Sequence, residues 1–293
     1  MSESRASEFD PLRSIRESLP LPKQATAICA KCGAEFQFNP GILRFFKLAT
    51  TSDKILCPEC FNERMAAEEA QKEAARQATV SARRRQWRVE CGIPRKFQGQ
   101  DFSTFEQKRQ AKAFKRCWEY ADKFPLVQPE KYNSLVLMSP HCWGVGKTHL
   151  ACSIAHLLLD RWQGEEMACP VKFISEPDLF SNLMETYSFT PEEKHYRESE
   201  TDIIHRLSRV KLLVLDDVGK VKFADLKFVQ RILFAIINKR YDNELPLVMT
   251  TNLDKEELCG WLGEASFDRL VEMCRGSFFQ MTGESYRRAG NVG

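Results

Sequence analysis

The sequence predicts an α/β fold: a parallel sheet covered by helices on both faces, preceded by a small cysteine-bearing domain and a linker helix. Three observations predict it. Between residues 95 and 290, short apolar runs alternate with stretches of helical character, the pattern of strands buried on both sides. One run passes directly into Gly144-Val145-Gly146-Lys147-Thr148, a glycine loop that opens a helix. Ahead of these lie two Cys-x-x-Cys pairs and then a stretch, 62–90, without Gly or Pro.

Taken in order, residues 1–25 are polar with Pro11, Pro20 and Pro22, and read as an extended lead-in. Residues 26–62 carry the cysteine pairs. Residues 63–92 form a helical linker rich in Ala, Glu, Gln and Arg, acidic early and basic late, which Cys91-Gly92-Ile93-Pro94 breaks. Residues 93–293 form the α/β domain. Its strands are expected at Ser134–Ser139, Val171–Ser175, Lys211–Asp216, Leu245–Thr250 and Ser277–Met281. Helices are expected at Thr148–Trp162, Pro177–Tyr187 and Asp225–Tyr241, and near 254–262 and 264–274.

Composition narrows the function classes. With 293 residues and 43% hydrophobic content the chain can bury a sizeable core. A net charge of +3 does not by itself argue nucleic-acid binding. No apolar run approaches the roughly 20 residues that cross a bilayer, and MSESRASEFD is not a secretory signal. The 11 cysteines are then expected as reduced thiols or metal ligands of a cytoplasmic protein, with no membrane partner.

A phosphate loop follows a strand, opens a helix and ends in Gly-Lys-Thr, so that successive backbone N–H groups wrap a phosphate. Gly144, Val145, Gly146, Lys147, Thr148 and His149 are the expected nucleotide-binding residues, with Lys147 reaching the β- and γ-phosphates of ATP and Thr148 ligating Mg2+. His141 stands where the first glycine of the loop is usual, a position that tolerates other residues if its φ is negative. Leu212–Asp217 reads as a strand ending in two acids: Asp216 for Mg2+ and Asp217 as general base on the attacking water. Asn252, at the end of a third apolar run, is placed to present its amide to the γ-phosphate or that water. This order implies a sheet in which an extra strand separates the phosphate-loop strand from its acidic neighbour in sequence.

Cys29, Cys32, Cys57 and Cys60 form two knuckles separated by residues 33–56, the spacing of a four-thiolate structural Zn2+ site. Gly33 and Pro58 suit the turns. The basic run Arg83-Arg84-Arg85-Gln86-Trp87-Arg88 offers phosphate and base contacts, or else is the solvated end of the linker helix.

GVGKTHLA at 144–151, LLVLDDVG at 212–219, TTN at 250–252, FDRL at 267–270, GESYRR at 283–288 and CGIPRKFQGQDFSTF at 91–105 together resemble the AAA+ family of bacterial helicase loaders, DnaC-type, and the related IstB-type transposition ATPases. The resemblance covers about 88–290 and implies a nucleotide site between adjacent subunits. Arg269 falls where the family places an arginine finger, and Arg287 where a second sensor arginine would lie. Lys220, Lys222 and Lys227 follow the acidic strand, on the side that often faces the central pore in such rings. Some loaders carry an N-terminal zinc module that docks on the helicase, though such a ribbon can equally bind nucleic acid.

The resemblance therefore implies an ATPase, slow and partner-stimulated, that loads a replicative helicase hexamer onto single-stranded DNA and self-associates through its ATP site. The alternatives are an IstB-type ATPase assisting DNA transposition and a nucleotide-gated binding module with negligible hydrolysis. His141 and Asp217 keep that last alternative open.

Overall fold

The computed structural model describes residues 24–38, 55–164, 167–190, 192–193, 196–221 and 225–286. By internal contacts the chain divides into two units, Met1–Thr79 and Val80–Gly293. The division falls within helix α1 (Pro58–Glu90).

In the first unit, strands β1 (Ala25–Ile28) and β2 (Glu35–Phe38) pair antiparallel, Ala25 opposite Phe38 and Ile28 opposite Glu35. Gly33 closes the turn at φ 74°, a left-handed conformation that glycine adopts at no steric cost. Its N–H donates to the Cys29 carbonyl at 2.9 Å. Helix α1 opens on Pro58, where a missing N–H costs nothing. The buried apolar cluster among this unit's described residues is Cys29, Cys57 and Cys60, with Phe36 and Leu56 packed against it.

In the second unit the strands are β3 (Leu135–Met138), β4 (Val171–Ser175), β5 (Leu212–Val218), β6 (Leu247–Thr251) and β7 (Phe278–Gln280). They form one parallel sheet in the order β4-β5-β6-β3-β7. The expected extra strand is β6, hydrogen-bonded to β3 on one side and β5 on the other. Helices α2 (Ala111–Asp122), α3 (Lys147–Arg161), α4 (Glu176–Thr186), α5 (Glu200–Arg209), α6 (Leu226–Asp242), α7 (Lys255–Leu262) and α8 (Glu264–Cys274) connect the strands. The alternation of apolar runs does not mark α2 and α5.

Side chains alternate across each strand, and the alternation sorts the core in two. Leu135, Leu137, Val171, Phe173, Leu212, Val214 and Val248 pack with Ala113 and Cys117 of α2 and with Leu150, Ile154 and Leu158 of α3. Val136, Ile174, Leu213, Leu215, Leu247 and Met249 pack with α4 to α8. Helices thus cover both faces.

The basic run does not offer a base contact through its aromatic. Trp87 is buried in the first of these clusters, and its indole N–H donates to the Met167 carbonyl at 3.3 Å. Arg84 donates to the Trp162 carbonyl, and Arg88 makes a two-pronged pair with Asp160 at 2.6 and 2.7 Å. Packing against the domain, rather than solvent, decides the end of this helix.

Candidate nucleotide site and thiol cluster

Parallel strands deliver the loops at their C-terminal ends to one edge, where ligands bind in open α/β sheets. A cleft of about 350 Å³ lies there, lined by Gly144, Val145, Gly146, Lys147, Thr148, His149, Asp217, Lys220 and Asn252. The lead-in to the domain supplies Lys96, Phe97, Gln100, Thr104, Phe105 and Glu106, and the C-terminal segment supplies Tyr286. Trp143 also lines the cleft, its side chain 61% exposed.

The phosphate loop is held from β6. The Asn252 carbonyl accepts from His141 N–H at 3.2 Å, and Ser139 N–H donates to the Thr251 carbonyl at 3.0 Å. Gly144 and Gly146 have φ of 75° and 99°. A Cβ on Gly146 would stand 2.8 Å from the Phe105 ring, so only glycine fits beneath that ring. His141 has φ 55°, against the negative value expected for it. The position keeps the left-handed backbone that a glycine would take there, and histidine bears a strain of roughly 1–2 kcal/mol.

Lys147 opens α3 with its side chain 6% exposed. Its ammonium donates to Ser139 Oγ at 2.5 Å and Asn252 Oδ1 at 2.6 Å. Asn252 Oδ1 thus accepts from the lysine and, at 3.3 Å, from Ser139 Oγ. Asp216, 4% exposed, is not among the residues that line the cleft. It accepts from Thr148 Oγ1 at 3.0 and 3.1 Å and from Thr250 Oγ1 at 2.6 Å. Burial first, and then the neighbouring Asp217, push its carboxyl up to about 6.

The strand breaks its register between Leu215 and Val218. That irregularity puts Asp217 at φ 56° and aims it into the cleft, where its carboxylate pairs with Lys220 at 2.7 Å. Its N–H donates to Thr250 Oγ1 at 2.9 Å. His149 turns from the loop toward the lead-in: its Nε2 lies 2.9 Å from the Asp101 carbonyl, and its ring meets Phe105 edge-on at 5.0 Å. Tyr286 N–H donates to the Gly144 carbonyl at 3.0 Å, which ties the C-terminal segment to the loop.

The donor set suits ATP with Mg2+. Left-handed glycines expose N–H groups, Lys147 supplies a cation, and the Thr148 hydroxyl and Asp216 carboxylate are hard oxygens already side by side.

Arg269 is not brought to this cleft. It lies on α8, stacks over Phe234 and Tyr241 of α6 at 5.3 and 5.7 Å, and donates to the Ala265 carbonyl. Arg287 and Lys222 lie outside the described residues. Lys227 sits on α6, along a separate groove. Thr250, Phe105 and Tyr286 fall within the strings quoted for the resemblance but were given no role, and Ser139 lies outside them. The polar residues at the two strand ends were the available signal for Ser139 and Thr250.

In the first unit, the sulfurs of Cys29, Cys32, Cys57 and Cys60 all lie within 4.8 Å of one another. Cys32 and Cys57 are 3.7 Å apart, about the spacing of two thiolates on one tetrahedral zinc. Lys31 N–H points at Cys29 Sγ and Cys60 N–H at Cys57 Sγ. The backbone N–H groups of Cys32 and Cys57 lower the Cys29 thiol to about 6, easing loss of its proton. The set fits Zn2+ by chemistry and by spacing.

The family model described as "IstB-like ATP binding protein" matches residues 63–291. The replicative helicase loader DnaC of Escherichia coli (strain K12) is 32% identical over 127 residues, 43% of this chain and 46% of that protein. DnaC of Buchnera aphidicola subsp. Acyrthosiphon pisum (strain APS) is 27% identical over 170 residues, 58% and 61% of the two chains. The chain thus spans about half the length of the curated relatives it matches. A crystal structure of the DnaC helicase loader superposes with a TM-score of 0.49 at 19% identity, covering 64% of this chain and 100% of that one. No helix among the described residues is long and apolar enough to cross a membrane. On the match over residues 63–291, joined to the cleft just described, the chain belongs to the family of IstB-like ATP-binding proteins.

Proposed function

We propose that the chain is an ATP-dependent loader of a replicative DNA helicase onto single-stranded DNA, acting in the bacterial cytoplasm as an AAA+ ATPase. The observation that carries this is the convergence of Lys147, Thr148, Asp216, Asp217 and Asn252 at one sheet edge, in a chain whose relatives are named replicative helicase loaders. Lys147 leaves Ser139 and Asn252 to engage the β- and γ-phosphates. Thr148 and Asp216 would hold Mg2+, which supplies charge neutralisation on the phosphates. Asn252 orients a water, and Asp217 takes its proton as the water oxygen bonds to the γ-phosphorus and the bond to the ADP oxygen breaks. Arg269 of a neighbouring copy, assisted by Arg287, completes the charge stabilisation, so the site works through self-association. Cys29, Cys32, Cys57 and Cys60 hold Zn2+ in a head that docks on the helicase hexamer.

Lys147→Ala is the first test. It is expected to weaken ATP binding by about 2 kcal/mol, roughly thirtyfold, and to abolish turnover; intact binding and turnover would refute the site. Capture of a hexameric replicative helicase by the full chain, with turnover raised by single-stranded DNA, is the expected result for a loader. The IstB-like description of the matching family favours one second reading, an ATPase assisting DNA transposition. Capture of a transposase in place of the helicase would replace the first reading by the second.

A further inference from the structure

Glu176 is the first residue of α4 and is fully buried, yet none of its described partners is a cation. One carboxylate oxygen accepts from the N–H groups of Gly219 at 2.8 Å and Lys220 at 3.2 Å, with Val221 N at 3.5 Å. The other accepts from the Trp261 indole of α7 at 2.7 Å. Burial raises its pKa, and the indole and the loop N–H groups counter that. A buried carboxylate is costly unless its oxygens are satisfied. Among the described residues, its bonds go to one loop and to one side chain of α7.

That loop is the exit of β5, directly after Asp216 and Asp217. Its path is tightly defined. Gly219 takes φ 86°, and a Cβ there would lie 2.3 Å from the Leu253 side chain, next in sequence to Asn252. Thr251 Oγ1 donates to the Val218 carbonyl at 2.7 Å. Lys220, whose N–H is held by Glu176, extends its ammonium to Asp217 at 2.7 Å in the cleft.

We infer that Glu176 is a positioning residue for the hydrolytic site: its carboxylate fixes the Gly219–Val221 turn, and the turn fixes the left-handed Asp217 and its Lys220 partner in the cleft. The inference rests on the proposed ATPase reading and deepens it. Glu176 is not among the residues that line the cleft; it acts through backbone. Loss of the anchor lets Asp217 drift, while the glycine loop and Lys147, which hang from β3 and β6, keep their places. Displacement of a catalytic group by about 1 Å costs up to roughly a hundredfold in rate.

The test uses the full chain. In Glu176→Ala, kcat for ATP is expected to fall at least about tenfold, with the KM and the affinity for a fluorescent ATP analogue within about twofold of wild type. Glu176→Gln keeps one acceptor for the turn and is expected to recover part of the loss, which also covers the case in which the alanine variant does not fold. Trp261→Phe removes only the indole donor and is expected to keep kcat within about twofold. Unchanged kcat in both Glu176 variants overturns the inference. So does a Trp261→Phe loss as large as that of Glu176→Ala, or a parallel loss of affinity, since either would make Glu176 a packing residue. A wild-type chain that binds the analogue without turnover, with single-stranded DNA and the captured helicase present as well as without them, defeats the ATPase reading instead. Hydrogen exchange at Gly219 and Lys220 then judges the anchor alone: faster exchange in Glu176→Ala is expected, and unchanged exchange overturns it.

Discussion

His156 lies on the inward face of α3, 4% exposed, with its nitrogens between unlike neighbours. Nδ1 faces the Arg88 guanidinium at 3.4 Å and Nε2 the Phe97 carbonyl at 3.2 Å. A neutral ring protonated on Nε2 satisfies both; a charged ring would turn a donor toward arginine. Burial lowers its pKa, Arg88 adds to that, and the Phe97 carbonyl, Asp160 and Asp101 oppose it. The unfolded chain therefore takes up a proton near pH 6.5 before the folded one does. The stability this residue contributes is full above that pH and is lost as pH falls toward the lower folded value. The urea midpoint is expected to drop between pH 7 and pH 5, and His156→Gln to flatten the drop; an identical pH slope in the variant would disprove this. At this scale the sequence was partly legible. Lys147 and Thr148 stand in one short motif and Asp216 in another, and the structure brings the two motifs together. Glu176 could not be read from either, because its partners lie more than 40 positions away. The backbone sign at His141 was misjudged for a related reason: loop closure, not residue type, sets φ there.

Among elements, the β1–β2 hairpin has the least to hold it. Its described core is three cysteines, Phe36 and Leu56, too few apolar groups to offset the entropy of ordering the segment. Zinc binding in such modules is worth about 10–16 kcal/mol, so the ion is expected to supply the fold. Chelation, or Cys29→Ser with Cys57→Ser, is expected to release one equivalent of zinc and to free the exchange-protected amides of 25–38. ATP affinity should stay within about twofold, because every residue lining the cleft belongs to the second unit. Protected hairpin amides in metal-free protein would count against it. The strands of the sheet were readable as apolar runs. Helix α5 carried a readable start as well, since Ser199 and Asp202 form a reciprocal cap, and Ile203, Ile204 and Leu207 recur at helical spacing. The end of α1 was misread because the partners of Trp87, Arg84 and Arg88 lie on later segments.

In the whole molecule, the proposed function assigns Arg269 of α8 to the site of a second copy, since in its own chain it stacks on α6. Lys147→Ala and Arg269→Ala are each expected to be inactive alone. When mixed, they should regain a measurable fraction of turnover, since some interfaces would join an intact phosphate loop to an intact arginine. No gain on mixing, or full activity of Arg269→Ala, would place the completing charge elsewhere.

Strand β6 has one more consequence. Leu137 and Met138 pair with Thr250 and Thr251, while Leu213, Val214 and Leu215 pair with Leu247, Val248 and Met249. The heights of the phosphate loop, the acids and Asn252 are thus set by two backbone ladders that share one strand. A one-residue slip in that strand would exchange its faces between the two cores and shift Asn252 along the edge. Substitution at Asn252 or Thr250 changes one side chain at a time, whereas a single inserted or deleted codon between 247 and 251 moves the whole strand. In a diverging lineage this stretch is fixed in length, and its fully buried side chains vary only within the space of the two cores.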